Sequence, residues 1–374
     1  MILYTYFVYA LLMLGVFVLS LFIGLKKQGH YITRYCGFVS VLLILFFSLI
    51  DGCRYKVGYD WLQYKDIFVH LQQTGNFSRD KLEFFYKFIN LLLAEAGLHY
   101  AFLFMLMSGI LLFSLLFLLR DFRRHLWCVI PLFICWFLNY SDNLSRQFLA
   151  ISFLLIAMYY YVRQKYQYSI VLVIFATGCH ITALSIAPIY LILFYVNLRK
   201  YKYFPLCLYG VCFIISIVIT TAGFNILSSE YTSFFLILIG LESYIERIAN
   251  AGFNSFDIEI HTRIIMGFFH LFILYQVTKL KDIENERLFN WIFNIYILGI
   301  CLWDLFCEEE LFQRFILYLY CCFPFIWGII LSKVIRRHKL VTSAITLLII
   351  AYSIRRYFIF SSLHGSFNFI WDIQ

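Results

Sequence analysis

Charge-free apolar runs of about 15–22 residues follow one another along the whole chain. They are Tyr4–Leu25, Tyr35–Ile50, Tyr100–Leu119, Leu126–Tyr140, Phe148–Val162, Tyr166–Leu198, Phe204–Leu227, Ile264–Thr278, Leu288–Trp303, Phe315–Ser332 and Leu340–Ile354. A helix needs about 20 apolar residues to cross the hydrocarbon of a bilayer. One water-soluble core cannot hide this many such runs. With 63% hydrophobic and 14% charged residues, the chain reads as an all-α integral membrane protein, not a cytosolic enzyme, a nucleic-acid binder or a secreted disulfide module. The first run has no basic leader and no small-residue cleavage site, so it reads as a retained helix. Most of the 11 cysteines sit inside the runs as small hydrophobes, and no Cys/His spacing suits zinc.

The run Tyr166–Leu198 spans 33 residues and has basic residues on both flanks. It is too long for one crossing, so two short helices meeting near Cys179–His180 are expected, giving about twelve transmembrane helices. Loops holding Lys26, Lys27, Arg34, Arg120, Arg123, Arg124, Arg163, Lys165, Arg199, Lys200, Lys202, Lys279, Lys281, Arg287, Lys333, Arg336, Arg337 and Lys339 carry 18 of the 30 basic residues. Only Asp121, Asp282, Glu284 and Glu286 join them. The positive-inside tendency puts these loops in the cytoplasm. Two larger segments then face outward, 51–83 and 228–262, within one polytopic domain covering 1–374. The second contains Tyr231–Asn250, whose apolar residues at helical spacing and one charged face suggest a helix on the outer membrane surface. Glu83–Gly97 reads as a half-buried outer helix, with Glu83 and Lys87 spaced for an ion pair.

An outward side should be poor in arginine, yet Arg54, Arg146, Arg247, Arg263, Arg314, Arg355 and Arg356 fall there. Guanidinium never deprotonates and binds phosphate oxygens through two parallel donors. The set therefore points to an external, membrane-level pocket for a phosphate or diphosphate headgroup. The plainer alternative is snorkelling to lipid, or pairing with Asp142, Asp257 or Glu310. His180 is the one histidine in its run, and an imidazole ordinarily titrates near neutrality, so it is a candidate proton carrier; a packed histidine bonded to a carbonyl is the alternative. Gly58 permits a turn that points Asp60 and Arg54 the same way. Asp60 then reads as a general base or a sugar-hydroxyl acceptor, or else as a solvated loop residue. Trp61, Tyr64 and Tyr86 are placed to stack on sugar faces. Neither a metal site nor a cofactor is expected.

At these residues the chain resembles the EpsG-like Wzy polymerases. The stretch Arg54-Tyr55-Lys56-Val57-Gly58-Tyr59-Asp60-Trp61-Leu62-Gln63-Tyr64 is similar to a signature of that family, and Glu83 with Tyr86 follows at the usual distance. Its departure is Tyr59, where many members carry a small hydroxyl residue. Ser145-Arg146-Gln147-Phe148-Leu149-Ala150 is similar to the family's helix start. The apex with His180, Ala183 and Leu184 resembles a further element, as does Gln313-Arg314-Phe315 with Tyr318. The resemblance implies a polytopic fold akin to GT-C glycosyltransferases in the bacterial inner membrane, with its site facing the periplasm. It implies an O-antigen or similar surface-polysaccharide polymerase, acting on glycans carried by undecaprenyl diphosphate. A Wzz-type chain-length regulator is the implied partner, besides membrane lipids. His180, Asp60, Arg146 and Arg314 are the candidate catalytic residues. Arg54, Tyr64, Glu83, Gln147, Arg247, Arg263, Gln313 and Tyr318 are candidates for substrate binding. An O-antigen ligase using the same leaving group and a non-enzymatic flippase remain alternatives.

Overall fold

A computed structural model describes residues 2–24, 26–27, 30–31, 33–79, 81–222, 260–280, 283–306, 310–336, 340–363 and 367–369. The expected surface helix Tyr231–Asn250, and Arg247 with it, lie outside the described residues.

The apolar runs fold as helices, with α3 and α4 added between the second and third runs: α1 Ile2–Ile23, α2 Thr33–Gly52, α3 Trp61–Thr74, α4 Phe84–Glu95, α5 Ala101–Leu118, α6 Leu126–Asn143, α7 Ser145–Val162 and α8 Tyr166–Cys179. They continue as α9 Ala183–Tyr195, α10 Phe204–Ala222, α11 Ile260–Val277, α12 Glu286–Leu305, α13 Glu310–Tyr320, α14 Phe323–Ile335 and α15 Leu340–Leu363. Among the described residues, nine helical stretches are long and apolar enough to cross a membrane, and Gly37–Gly52 and Tyr166–Cys179 are shorter apolar helices. The 33-residue run does break where expected, between α8 and α9. The segment 51–83 is not loop alone: it holds α3 and the two-residue strand Arg54–Tyr55, which pairs antiparallel with Asn368–Phe369.

The chain forms two compact units. Unit 1 is Met1–Ala187 with Trp327–Gln374, and unit 2 is Pro188–Ile326. In unit 1, α7 packs on α8 and α5, α5 on α2, and α1 on α2 and α6, with α15 against α6. Phe104, Leu112, Leu115, Phe137, Ile151 and Leu155 fill the centre. Leu3, Phe7, Leu11, Leu14 and Leu21 lie exposed along α1. In water such a stripe would cost about 25 cal/mol per Å²; hydrocarbon removes that cost. The run that opens α15 continues as helix past Ile354, so Arg356 is intrahelical and its guanidinium lies 3.9 Å from the centroid of Trp136.

Unit 2 is built on α12, which packs against α10 and α13. Its polar side chains hold neighbouring backbone. Asn294 Nδ2 donates to the carbonyls of Leu193 (2.9 Å) and Val196 (2.7 Å), and Trp291 Nε1 donates to that of Tyr190 (2.7 Å). The Asn294 bonds satisfy carbonyls in the last turn of α9 and just past it, where the helix itself leaves them open.

Candidate functional site

The site begins where α2 ends. The chain must reverse between Gly52 and Trp61, and two residues take positive φ to do so, Lys56 (55°) and Gly58 (95°). At Gly58 a side chain is excluded twice. The φ favours glycine, and a Cβ would lie 2.9 Å from Asn143 Oδ1. Asn143, the last residue of α6, holds this turn. Its Oδ1 accepts from the Tyr59 backbone N–H (2.6 Å), and its carbonyl accepts from the Tyr64 hydroxyl (3.4 Å). Asp60 is half-buried at the start of α3, and its carbonyl accepts from Tyr64 N–H (3.1 Å). Trp61 is fully buried; its indole donates to the Arg54 carbonyl (3.1 Å) and its ring stacks on Phe104.

Beneath this turn lies a charge cluster. Arg54 is only 2% exposed. Its Nη1 donates to the Asp51 carbonyl (2.7 Å) and to Asp51 Oδ2 (2.9 Å), Nη2 lies 3.5 Å from Asp142 Oδ1, and the guanidinium sits over Phe104. Ser108 donates to Asp51 Oδ2. Burial pushes the Arg54 pKa down while Asp142 and Asp51 push it up, and the carboxylates prevail. A cavity of about 10 Å³ adjoins the cluster, lined among others by Ser108, Ser141 and Ser145. That is near the minimum for one water and far too small for a phosphate group.

Arg146 has different surroundings. It occupies the first turn of α7, after the break at Leu144. Its Nη1 donates to Glu83 Oε2 at 2.6 Å, with the two side chains 22% and 18% exposed. Glu83 therefore pairs across the fold with Arg146, and not with Lys87 as the spacing suggests; the Lys87 ammonium lies over the Phe77 ring. The Arg146 guanidinium stands 5.6 Å from the Tyr86 centroid, and Tyr86 meets Tyr64 edge to face. Arg146 Nε and the Tyr86 hydroxyl are buried and have no hydrogen-bond partner among the described residues. Burial pushes the Tyr64 phenol above its ordinary pKa, Arg146 offsets part of the rise, and Asp60 adds to it. Burial likewise raises Tyr86. Both phenols are therefore neutral donors near pH 7.

His180 sits just past α8 in extended conformation, its Nδ1 2.6 Å from Thr182 Oγ1. At Gly178 a Cβ would come within 2.5 Å of the Phe84 ring and 2.8 Å of Phe85. Only glycine permits this approach, and through it the chain end bearing His180 abuts the helix start bearing Glu83. Gln147 is buried in α7. Unit 1 thus gathers Asp60, Tyr64, Glu83 and Arg146, with His180 at the adjoining corner and Arg54 below.

The remaining candidates belong to unit 2. Arg263, in the first turn of α11, is buried and donates to Thr220. Near it is a residue the sequence reading did not single out, Asp304. Its Oδ2 accepts from the Tyr209 hydroxyl (2.7 Å) and its carbonyl from Ser216 (2.7 Å). The available signal was a lone carboxylate at the end of an apolar run. On α13, Gln313 is buried and Arg314 exposed. Tyr318 is fully buried, and its carbonyl accepts from the Tyr190 hydroxyl.

A sequence model described as the EpsG family matches residues 37–371. The chain belongs to the EpsG family. No curated protein and no solved structure matches it. The EpsG match takes in both units, so every candidate residue above falls inside it. The apolar helices embed this EpsG member in a membrane.

Proposed function

We propose that this EpsG-family chain is a glycosyltransferase that polymerises surface polysaccharide, O-antigen or a similar glycan. In this reading it works in the bacterial inner membrane at the periplasmic face. Donor and acceptor are both oligosaccharides carried on undecaprenyl diphosphate. An acceptor hydroxyl attacks the donor's anomeric carbon and forms the glycosidic bond. The bond from that carbon to the diphosphate oxygen breaks, its electron pair leaves with the lipid diphosphate, and the hydroxyl proton passes to a side-chain base.

The observation that carries the reading is the state of Arg146. One nitrogen is anchored on Glu83, its one carboxylate partner among the described residues, and the side chain is 22% exposed, whereas Arg54 is enclosed between two carboxylates. A guanidinium held this way is oriented and keeps donors for phosphate oxygens. Tyr64 and Tyr86 offer neutral hydroxyls and ring faces. Three side chains here accept protons: Asp60, Glu83 and His180. Glu83 gives one oxygen to Arg146, which suits it to orient that arginine. Arg263 and Arg314, in unit 2, are further candidates for phosphate binding, and a Wzz-type regulator sets chain length.

The test is reconstitution of the purified protein with lipid-linked repeat units. Polymer on the carrier lipid supports the reading. Transfer to lipid A-core without lengthening makes the protein a ligase, and transbilayer movement without new glycosidic bonds makes it a flippase.

A further inference from the structure

The opposite, basic-loop end of unit 2 carries a cavity that the proposed reaction does not use. Its volume is about 70 Å³, whereas one water needs roughly 10–15 Å³. Pro205 and Leu206 from the first turn of α10, Leu274 and Val277 from the last turn of α11, and Phe293 of α12 form apolar walls. Arg199 and Lys202 form the polar side.

Both cations have capacity to spare. Arg199 uses Nη1 alone for its polar contacts, to Asn290 Oδ1 (2.8 Å) and Glu286 Oε1 (3.4 Å). Glu286 is 70% exposed, and such a long, solvated pair is weak. Nε and Nη2 make no hydrogen bond within the described residues. Lys202 lies over the Tyr203 ring and meets no carboxylate among the described residues. The N-terminus of α10 lies at the same place, although Phe204 and Cys207 N–H already donate to the Tyr201 and Tyr203 carbonyls and Pro205 has none. The end of α11 does not oppose it, because the carbonyls of Leu274, Gln276 and Val277 already accept from Thr278, Lys279 and Leu280 N–H.

We propose that this cavity binds the phosphate of an anionic glycerophospholipid. The space suits one phosphate group and is too small for a nucleoside. A lipid leaves its bulk in the bilayer, and the cavity lies at the start of α10, the end of α11 and about two turns into α12, three helices long and apolar enough to cross a membrane. Apolar walls beside two cations match a phosphate with acyl chains attached better than a free anion.

The experiment uses the full-length protein in detergent, titrated with phosphatidylglycerol, phosphatidylcholine and inorganic phosphate, with thermal unfolding as readout. Phosphatidylglycerol should raise the unfolding midpoint, and the other two should not. Arg199→Gln combined with Lys202→Gln should weaken phosphatidylglycerol binding about tenfold or more, given a modest contribution from each charge. Leu206→Trp fills the cavity without touching its charges and should do the same, which keeps the test open if the double variant folds poorly. Equal response to phosphatidylcholine overturns the proposal, and competition by inorganic phosphate at equal concentration reassigns the cavity to a soluble anion. Undiminished phosphatidylglycerol binding by either folded variant also overturns it.

Discussion

Arg54 and Arg146 flank the same break between α6 and α7, and they have opposite surroundings. Arg54 is enclosed, faces two carboxylates and has no room beside it for another anion. Arg146 is a fifth exposed, pairs with one carboxylate and meets Tyr64; its Nε, like that of Arg54, makes no hydrogen bond among the described residues. A buried guanidinium persists only when its charge is matched on the spot. A guanidinium that is to recognise a ligand must be held by less than its full bonding capacity. The difference is the ground on which Arg54 is proposed to tie α2, α5 and α6 together and Arg146 to recognise the ligand.

The largest effect that could break this contrast is on folding. Arg54→Ala strands two buried carboxylates, and removing one partner of a buried pair costs about 3–5 kcal/mol. The variant should give little monodisperse protein. Adding Asp51→Asn and Asp142→Asn should recover part of the yield, because it removes the unmatched charge. A single Arg54→Ala protein that melts like the wild type would remove the structural role.

The next effect should appear in activity and leave the fold alone. Arg146→Lys keeps the charge and loses the fork. Loss of one preorganised donor to a developing oxyanion costs about 10²–10³ in rate, so polymer formation should fall about a hundredfold while the unfolding midpoint stays near that of the wild type. Normal polymer length from Arg146→Lys would take bidentate phosphate binding out of the reading.

Gly58→Ala sharpens the comparison by disturbing both arginines together. It puts a side chain at a φ of 95° and against Asn143, whose carbonyl and amide oxygens hold Tyr64 and Tyr59. Strain of this kind costs about 1–3 kcal/mol, so stability and polymer formation should both fall. A loss of activity alone would mean that the turn serves only Arg146.

Much of this was legible in the sequence because lipid imposes simple rules. Apolar length gave the helices, including the break at His180 that splits a 33-residue run. Charge type picked out Arg146 and Arg54 as unusual. What sequence spacing could not supply was partner choice. Glu83 has Lys87 one turn away on its own helix, yet its partner comes from α7, 63 residues on. An exposed i,i+4 pair contributes only a few tenths of a kcal/mol, so tertiary geometry readily overrides it. Arg54 likewise looked outward because it follows an apolar run. A two-residue strand pairing and the indole of Trp61 instead fix its backbone, and its side chain is enclosed with Asp51 and Asp142. Asp304 escaped notice because its partners Tyr209 and Ser216 come from another helix, almost a hundred residues earlier.

The smallest expected effect separates the two regions by pH. Tyr64 lies on the Arg146 side, and burial raises its pKa even though Arg146 pulls it down. A phenol whose folded pKa lies above its unfolded value, near 10, binds its proton more tightly in the native state. Its contribution to stability is complete below about pH 10 and is lost as pH rises through the folded value. The wild type should therefore lose stability above pH 10, and Tyr64→Phe, which cannot titrate, should lose less. The same substitution removes a hydroxyl beside Arg146, and one hydrogen bond contributes about 0.5–1.5 kcal/mol. At neutral pH it should lower polymer formation by no more than about tenfold. Arg54 also faces Tyr9 and Tyr64, so the difference between wild type and Tyr64→Phe, and not the pH range alone, isolates the Tyr64 contribution. Thermal unfolding of wild type and Tyr64→Phe between pH 8 and about pH 11 makes the comparison. Parallel curves would mean that Tyr64 is already solvated, and the recognition side of the contrast would lose its neutral donor.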